Sequence, residues 1–370
     1  MINYIKLNNL ERELINNNDN ISSKSKFVQT VLGKINPSEI GPTTTHEHIL
    51  IDFLCMFNPP SEASERFKAY QPVTMENLGW VRYDHFRNQD NLLLADEDVA
   101  VQELLLFKGH GGGTIIDATT IGIGRDPYAL SRIARLTGIN IVMGAGYYVG
   151  PVHPDNMDKK TINQISEEIT NEIKVGVGDT GIKCGIIGEI GCSWPLTPNE
   201  QKVLEASAIA QSQTGASILI HPGRNEKSPF EIIEILSNSG ADLSRVIMGH
   251  IERTIQDHET LLDLAKLGIF LEYDLFGWES SYYPLSHLDM VSDGARIDYI
   301  QFLIQNGYSK KIVTGQDVFC KSRLTKYGGH GYHHIMENII PRMIDKNIHQ
   351  SDIEDIIVNN PTEILTIKNY

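Results

Sequence analysis

Residues 184–221 read CGIIGEIGCSWPLTPNEQKVLEASAIAQSQTGASILIH, and this stretch decides the fold. It opens on a short apolar run, Cys184–Glu189, and closes on another, Ala216–His221. Between them Glu200–Thr214 carries apolar residues at helical spacing, and Gly215 stands where a helix-ending glycine belongs. Continuous apolar runs of this length fit parallel strands covered on both faces. The stretch is therefore a strand–helix–strand unit. The same alternation recurs on either side of it. Further strands are expected at Pro42–His48, Thr114–Thr119, Ile139–Ala145, Arg245–His250, Ile269–Asp274 and Lys311–Asp317, which makes eight. His258–Leu267, followed by Gly268, is a second clear helix. Eight such alternations predict an α/β fold, a (β/α)8 TIM barrel with insertions. An open doubly wound sheet is the alternative, but no GxGxxG follows the first strand. Two longer stretches, Phe53–Glu97 and Val318–Asn338, follow strands one and eight. In a barrel these are loops at the C-terminal mouth, where the chemistry is done.

Composition narrows the function classes. The chain has 370 residues, 41% hydrophobic and 21% charged, which is ordinary globular usage. Its net charge of −15 argues against a basic nucleic-acid footprint. No apolar run is long enough to cross a membrane. The first 26 residues are rich in Asn and Ser and lack the apolar core of a secretory signal. They are expected to form a loosely ordered extension, with residues 27–370 making one hydrolase barrel domain. Cys55, Cys184, Cys192 and Cys320 form no paired spacing, which fits reduced thiols and a cytoplasmic setting. The expected partner is a small-molecule substrate, with neither nucleic acid nor membrane; a homo-oligomer stays open.

The chemistry is carried by the strand ends. Strand one ends His46-Glu47-His48, strand four in Glu189, strand five in His221, strand six in His250 and strand eight in Asp317. Strand alternation puts His46 and His48 on one face, about 7 Å apart at Cα, and Glu47 on the other. Each residue alone has an ordinary structural reading. Six at C-terminal strand ends are hard to explain as packing, because unpaired buried charge is costly. Nitrogen and oxygen donors together suit Zn, Mn, Fe, Co or Ni rather than Ca. Six ligands exceed one tetrahedral site and predict two divalent metal cations. Among the other histidines, His85, His110, His258 and His349 are expected at the surface. His153, His287, His330, His333 and His334 are expected in loops.

Longer blocks sharpen this reading. TVLGKINPSEIGPTTTHEHIL, GGGTIIDATTIGIGRD, KCGIIGEIGCSWPLT, IHPGR, GHIERT, LEYDLFG and KYGGHGY run from near Phe27 to Tyr332. In them the chain resembles the phosphotriesterase family of the amidohydrolase superfamily, more closely its phosphotriesterase-related members. The resemblance implies a (β/α)8 barrel with a binuclear metal centre. It implies that His46 and His48 hold the more buried cation with Asp317, that His221 and His250 hold the other, and that Glu189 bridges them. Organophosphate-hydrolysing members use a carboxylated lysine as the bridge, where this chain has Glu189. Relatives often carry a histidine before the strand-eight aspartate, where this chain has Gln316.

Two cations would lower the pKa of a bridging water toward neutrality, and Asp317 would take its proton and deliver it to the leaving group. The resemblance implies an amidase acting on N-acetyltaurine and related N-acetyl amino acids. Such a substrate needs a cation for its anionic end, and Arg224, three residues after His221, is placed to supply it. Tyr147, Tyr332, Tyr148 and Trp278 are further candidates for lining the pocket. Arg253 is expected to be neutralised by Glu252 or Asp257. Lactone or phosphotriester hydrolysis by the same centre is the alternative activity, and a non-catalytic metal-binding protein is the alternative class.

Overall fold

The computed structural model describes residues 26–368, so the N-terminal extension lies outside the described residues. Eight strands form one sheet in which each strand neighbours the next in sequence: β1 (Thr43–Glu47), β2 (Thr114–Asp117), β3 (Asn140–Ala145), β4 (Ile186–Gly191), β5 (Ile218–His221), β6 (Val246–Met248), β7 (Phe270–Tyr273) and β8 (Ile312–Thr314). Every paired neighbour is parallel. Helices α1 (Glu97–Gly109), α2 (Pro127–Thr137), α3 (Ile162–Lys174), α4 (Pro198–Thr214), α5 (Ser228–Asn238), α6 (His258–Ala265) and α7 (Asp293–Gln305) alternate with the strands. The eight expected strands are all present. β6 and β8 stop short of His250 and Asp317, because the chain there turns into the left-handed region, at φ 52° and 49°.

The α4 unit shows how the sequence sets local structure. Thr197 accepts from the Glu200 amide and the Glu200 carboxylate accepts from the Thr197 amide, a capping box with Pro198 in the first turn. Gly215 ends the helix at φ 73°. Glu200 also accepts from the Gly150 amide (2.9 Å) and the Ser193 hydroxyl (2.8 Å), so the cap pins the loops after β3 and β4 together.

The barrel interior explains where the site can be. Ile116, Val142, Ile186, Leu219, Ile247, Phe270 and Val313, one from each of seven strands, form a buried layer, closed from below by Val28, Ile40, Ile364 and Leu365. Two residues further along each strand the inward positions become Ala118, Gly144, Gly188, His221, Gly249, Glu272 and Gly315. The glycines leave room for the long polar side chains of this layer. A Cβ on Gly249 would come within 3.0 Å of Asp274 Oδ2, and one on Gly315 within 2.9 Å of His46 O. Hydrogen bonds from Thr45 Oγ1 to Thr314 O (3.0 Å) and from the Asp317 amide to His46 O (2.9 Å) link β8 back to β1. No helix among the described residues is long and apolar enough to cross a membrane.

Candidate active site

The residues at the C-terminal strand ends converge on Glu189. Its Oε1 lies 3.2 Å from His48 Nε2, and its Oε2 lies 3.3 Å from His46 Nε2, 2.9 Å from His221 Nδ1 and 3.6 Å from His250 Nε2. Asp317 Oδ1 is 3.4 Å from His48 Nε2. All six side chains are buried or nearly so. His250 and Asp317 are two of only three non-glycine residues with positive φ among those described, a strain typical of functional positions.

Hydrogen bonds on the far side of three rings fix their tautomers. His46 Nδ1 faces Asp274 Oδ2 (3.0 Å) and Glu272 Oε2 (3.2 Å). His250 Nδ1 faces Asp274 Oδ1 (2.8 Å), and the His250 amide donates to Asp274 Oδ2 (2.9 Å). His48 Nδ1 meets Thr119 Oγ1 (2.9 Å), whose own proton goes to Leu50 O (3.2 Å), so the imidazole is the donor. Each ring therefore commits its Nδ1 proton outward and turns its Nε2 to the Glu189 side. His46 Nε2 is fully buried and makes no hydrogen bond. An orphaned ring nitrogen among carboxylates fits the donor set a divalent cation requires. His221 differs: Nδ1 faces Glu189, while Nε2 lies 3.2 Å from Arg253 Nη2.

The electrostatics say what the cluster lacks. Burial works against charge on His46, but Glu189 and Asp274 outweigh it and hold the ring well above its usual value. Burial likewise opposes charge on His48, yet Asp317 and Glu189 raise it to about 9. Burial would raise Glu189, but His46 and His221 pull it well below the carboxylate range. Four buried carboxylates, Glu189, Glu272, Asp274 and Asp317, thus share the imidazoles and draw positive charge into the site.

Glu272 and Asp274 were not singled out by the sequence reading, although strand seven ends in the same alternating way as strand one. Glu47, on the other face of β1, also has a task. Its carboxylate accepts from the Gln316 amide (2.8 Å) and the Val318 amide (3.0 Å), on either side of Asp317. Gln316 turns its side chain to the loop, with Nε2 on Gly331 O (3.2 Å) and Oε1 on the Ile335 amide (3.1 Å).

A cavity of about 20 Å³ lies against the cluster, lined on its outer side by Arg224, Arg253, Tyr148, Tyr283 and Trp278, with Phe53, Phe86 and Phe319. Arg224 is where it was expected, its Nε donating to the Tyr283 hydroxyl (2.7 Å). Tyr147 and Tyr332 are not at this cavity. The Tyr147 hydroxyl is held by Glu168 and by Lys160 (2.9 Å), and the Tyr332 hydroxyl donates to His48 O (2.8 Å) from beneath the site. Arg253 is not neutralised by its neighbours: Glu252 bonds Arg296 (3.0 Å) and Asp257 caps α6. His85 is buried rather than exposed, packed edge-on against Trp278. His333 and His334 are buried as well. A second group, His110, His333 and Glu337, lies near the surface. Its two rings stack at 4.6 Å and 19°, and both Nε2 atoms approach the Glu337 carboxylate, at 3.7 and 3.3 Å.

Barrel, strand-end cluster and sequence blocks define a class, and the comparison with known proteins bears on it directly. The phosphotriesterase family pattern matches residues 26–365, and the chain belongs to that family of hydrolases. A protein of Xenopus tropicalis named N-acetyltaurine hydrolase is 48% identical over 350 residues, covering 94% of this chain and 100% of that one. Among solved structures, a resiniferatoxin-binding protein from Rhodobacter sphaeroides superposes with a TM-score of 0.89 at 35% identity, over 92% of this chain and 94% of that one. The lactonase Lmo2620 from Listeria monocytogenes superposes with a TM-score of 0.74 at 26% identity, over 92% and 98%.

Proposed function

We propose that this chain is a binuclear metal-dependent amidohydrolase cleaving small anionic N-acyl compounds, N-acetyltaurine or N-acetyl amino acids, in the cytosol. His46, His48 and Asp317 would hold one divalent cation, His221 and His250 the other, and Glu189 would bridge them. Zinc suits this donor set, and Mn, Fe, Co or Ni fit it too. The observation that carries the reading is the buried, unpartnered Nε2 of His46 beside Glu189, with its ring locked by Asp274. Bound there, the cations would supply Lewis acidity and would bring the pKa of a bound water toward neutrality.

The chain's own residues do the rest. Glu47 fixes the backbone on both sides of Asp317, so the Asp317 carboxylate faces the cluster and the cavity together. Asp317 takes the proton of the attacking water and returns it to the departing amine nitrogen. Arg224 holds the anionic end of the substrate, away from the imidazoles. The aromatic wall excludes bulk water and so strengthens each of these interactions.

The test is acyl release from N-acetyltaurine, N-acetyl amino acids and a neutral lactone, with metal-loaded protein and elemental analysis of the same sample. Release from the anionic amides with about two equivalents of metal supports the reading. Turnover of the lactone alone favours the lactonase alternative, which the Listeria neighbour supports but which leaves Arg224 without an anion. Saturation at one equivalent of metal refutes the binuclear centre.

A further inference from the structure

Two arginines share the cavity beside the cluster, and neither has an acidic partner. No carboxylate among the described residues lies within ion-pair distance of Arg224 or Arg253. Arg253 is 3% exposed and follows His250, whose left-handed backbone starts a short turn, Ile251–Arg253, that carries the guanidinium back over the site. Its Nη2 is committed, to Pro222 O (3.0 Å) and His221 Nε2 (3.2 Å). Its Nη1 is buried and makes no hydrogen bond. Arg224 has its Nε committed to Tyr283, which leaves its terminal nitrogens uncommitted. Burial acts against charge on Arg253; Tyr283 offsets part of that cost and the neighbouring Arg224 adds to it.

We propose that Arg253 and Arg224 together form an anion clamp that selects a three-oxygen anion, a sulfonate, over a carboxylate. The proposal rests on the amidohydrolase reading above and adds to it the residue that sets specificity. The terminal nitrogens of Arg224 form a fork that two oxygens satisfy. Nη1 of Arg253 comes from a different strand end, so it calls for a third oxygen beyond the two that Arg224 takes. A tetrahedral sulfonate offers three oxygens in a tripod, whereas a planar carboxylate filling the fork of Arg224 leaves Nη1 of Arg253 unsatisfied. A buried donor left in that state costs binding. Because Nη2 of Arg253 touches the ring of His221, the anion sits one imidazole away from the reacting centre. This fits a short link between the scissile nitrogen and the anion.

The test compares N-acetyltaurine with N-acetyl-β-alanine, which has the same two-carbon link but ends in a carboxylate. Wild type, Arg253→Gln and Arg253→Lys are measured for kcat/KM on both, with metal content determined for each protein. Binding of ethanesulfonate and of propanoate is measured by calorimetry. Wild type should favour the sulfonate, and Arg253→Gln should lose about 30-fold or more on the sulfonate, mostly in KM. The loss on the carboxylate should be much smaller. An equal loss on both substrates, or a sulfonate preference that survives in both variants, overturns the clamp. If wild type cleaves neither substrate, the amidase reading falls by itself. The clamp is then judged by calorimetry: ethanesulfonate must bind tighter than propanoate in wild type and lose that advantage in Arg253→Gln.

Discussion

Asp274 offers the sharpest test of how the cluster is prepared for cations. Its Oδ1 accepts from His250 Nδ1 at 2.8 Å, and its Oδ2 takes the His250 amide at 2.9 Å and faces His46 Nδ1 at 3.0 Å. Asparagine has the same shape but a single acceptor oxygen. Its amide group must face either His250 Nδ1 or the pair of donors on the other side. The first arrangement is cheaper, and it forces His250 to move its proton to Nε2, the atom needed for a metal. Losing one charged hydrogen bond of this kind costs about 1.5–3 kcal/mol. That corresponds to roughly 10- to 150-fold weaker binding, in line with the usual 10- to 100-fold effect of removing a partner that orients a ligand. The assay is a competition titration of Asp274→Asn against a chromophoric chelator at neutral pH, with circular dichroism to confirm the fold. On the proposed reading the variant should bind divalent metal about 10-fold or more weakly, and hydrolysis should fall with occupancy. A divalent-metal affinity within about twofold of wild type would refute the tautomer argument.

Asp317→Asn should cost about 10²–10⁴-fold in turnover, with a smaller loss of metal by elemental analysis, because asparagine tolerates the left-handed backbone but cannot accept the proton. His85 is buried and held down to about 3 by desolvation and by Arg323 and Arg82. The unfolded chain takes up a proton below pH ~6.5 that the folded ring refuses, so stability should fall with pH by up to about 1.4 kcal/mol per unit between ~6.5 and ~3. Urea unfolding of wild type and His85→Gln across the upper part of that window should show a shallower slope in the variant. Arg296 is wholly buried between Glu252 (3.0 Å) and Asp293 (2.8 Å); Asp293 keeps His334 (2.8 Å), but Arg296→Met should strand the buried Glu252 carboxylate and cost about 3–5 kcal/mol in the same experiment.

The barrel was legible because its strands are uninterrupted apolar runs separated by well-capped helices, as in the α4 unit with Thr197, Pro198 and Gly215. His46, His48, Glu189, His221, His250 and Asp317 were legible for a related reason: polar residues at the ends of apolar runs stand out. Asp274 escaped because the pattern points to ligands that face a cation, while its role is to orient two rings from different strands. Arg253 was misread because Glu252 is its neighbour in sequence. In space Glu252 is engaged by Arg296 from α7, a long-range pairing that no local pattern announces. The same limit applies to His85, whose burial depends on Trp278 and Phe319 arriving from distant loops. Tyr147 and Tyr332 were chosen by loop position, and their hydroxyls went to nearer partners, Glu168 and His48 O.

The aromatic cover of the site has a kinetic consequence. Phe53 stands 5.3 Å from Phe319 and 5.9 Å from Tyr148, and Trp278 stands 5.7 Å from Phe319 and 5.6 Å from Tyr283, ring centre to ring centre. The cavity they roof, about 20 Å³, has room for about one water, far below the ~300 Å³ from which small-ligand pockets start. A small-molecule substrate therefore enters, and its products leave, only when these rings part. Opening then stands in series with bond cleavage, and in a well-evolved hydrolase such a step sets the pace. Turnover would then respond to solvent viscosity and be nearly indifferent to the basicity of the departing amine.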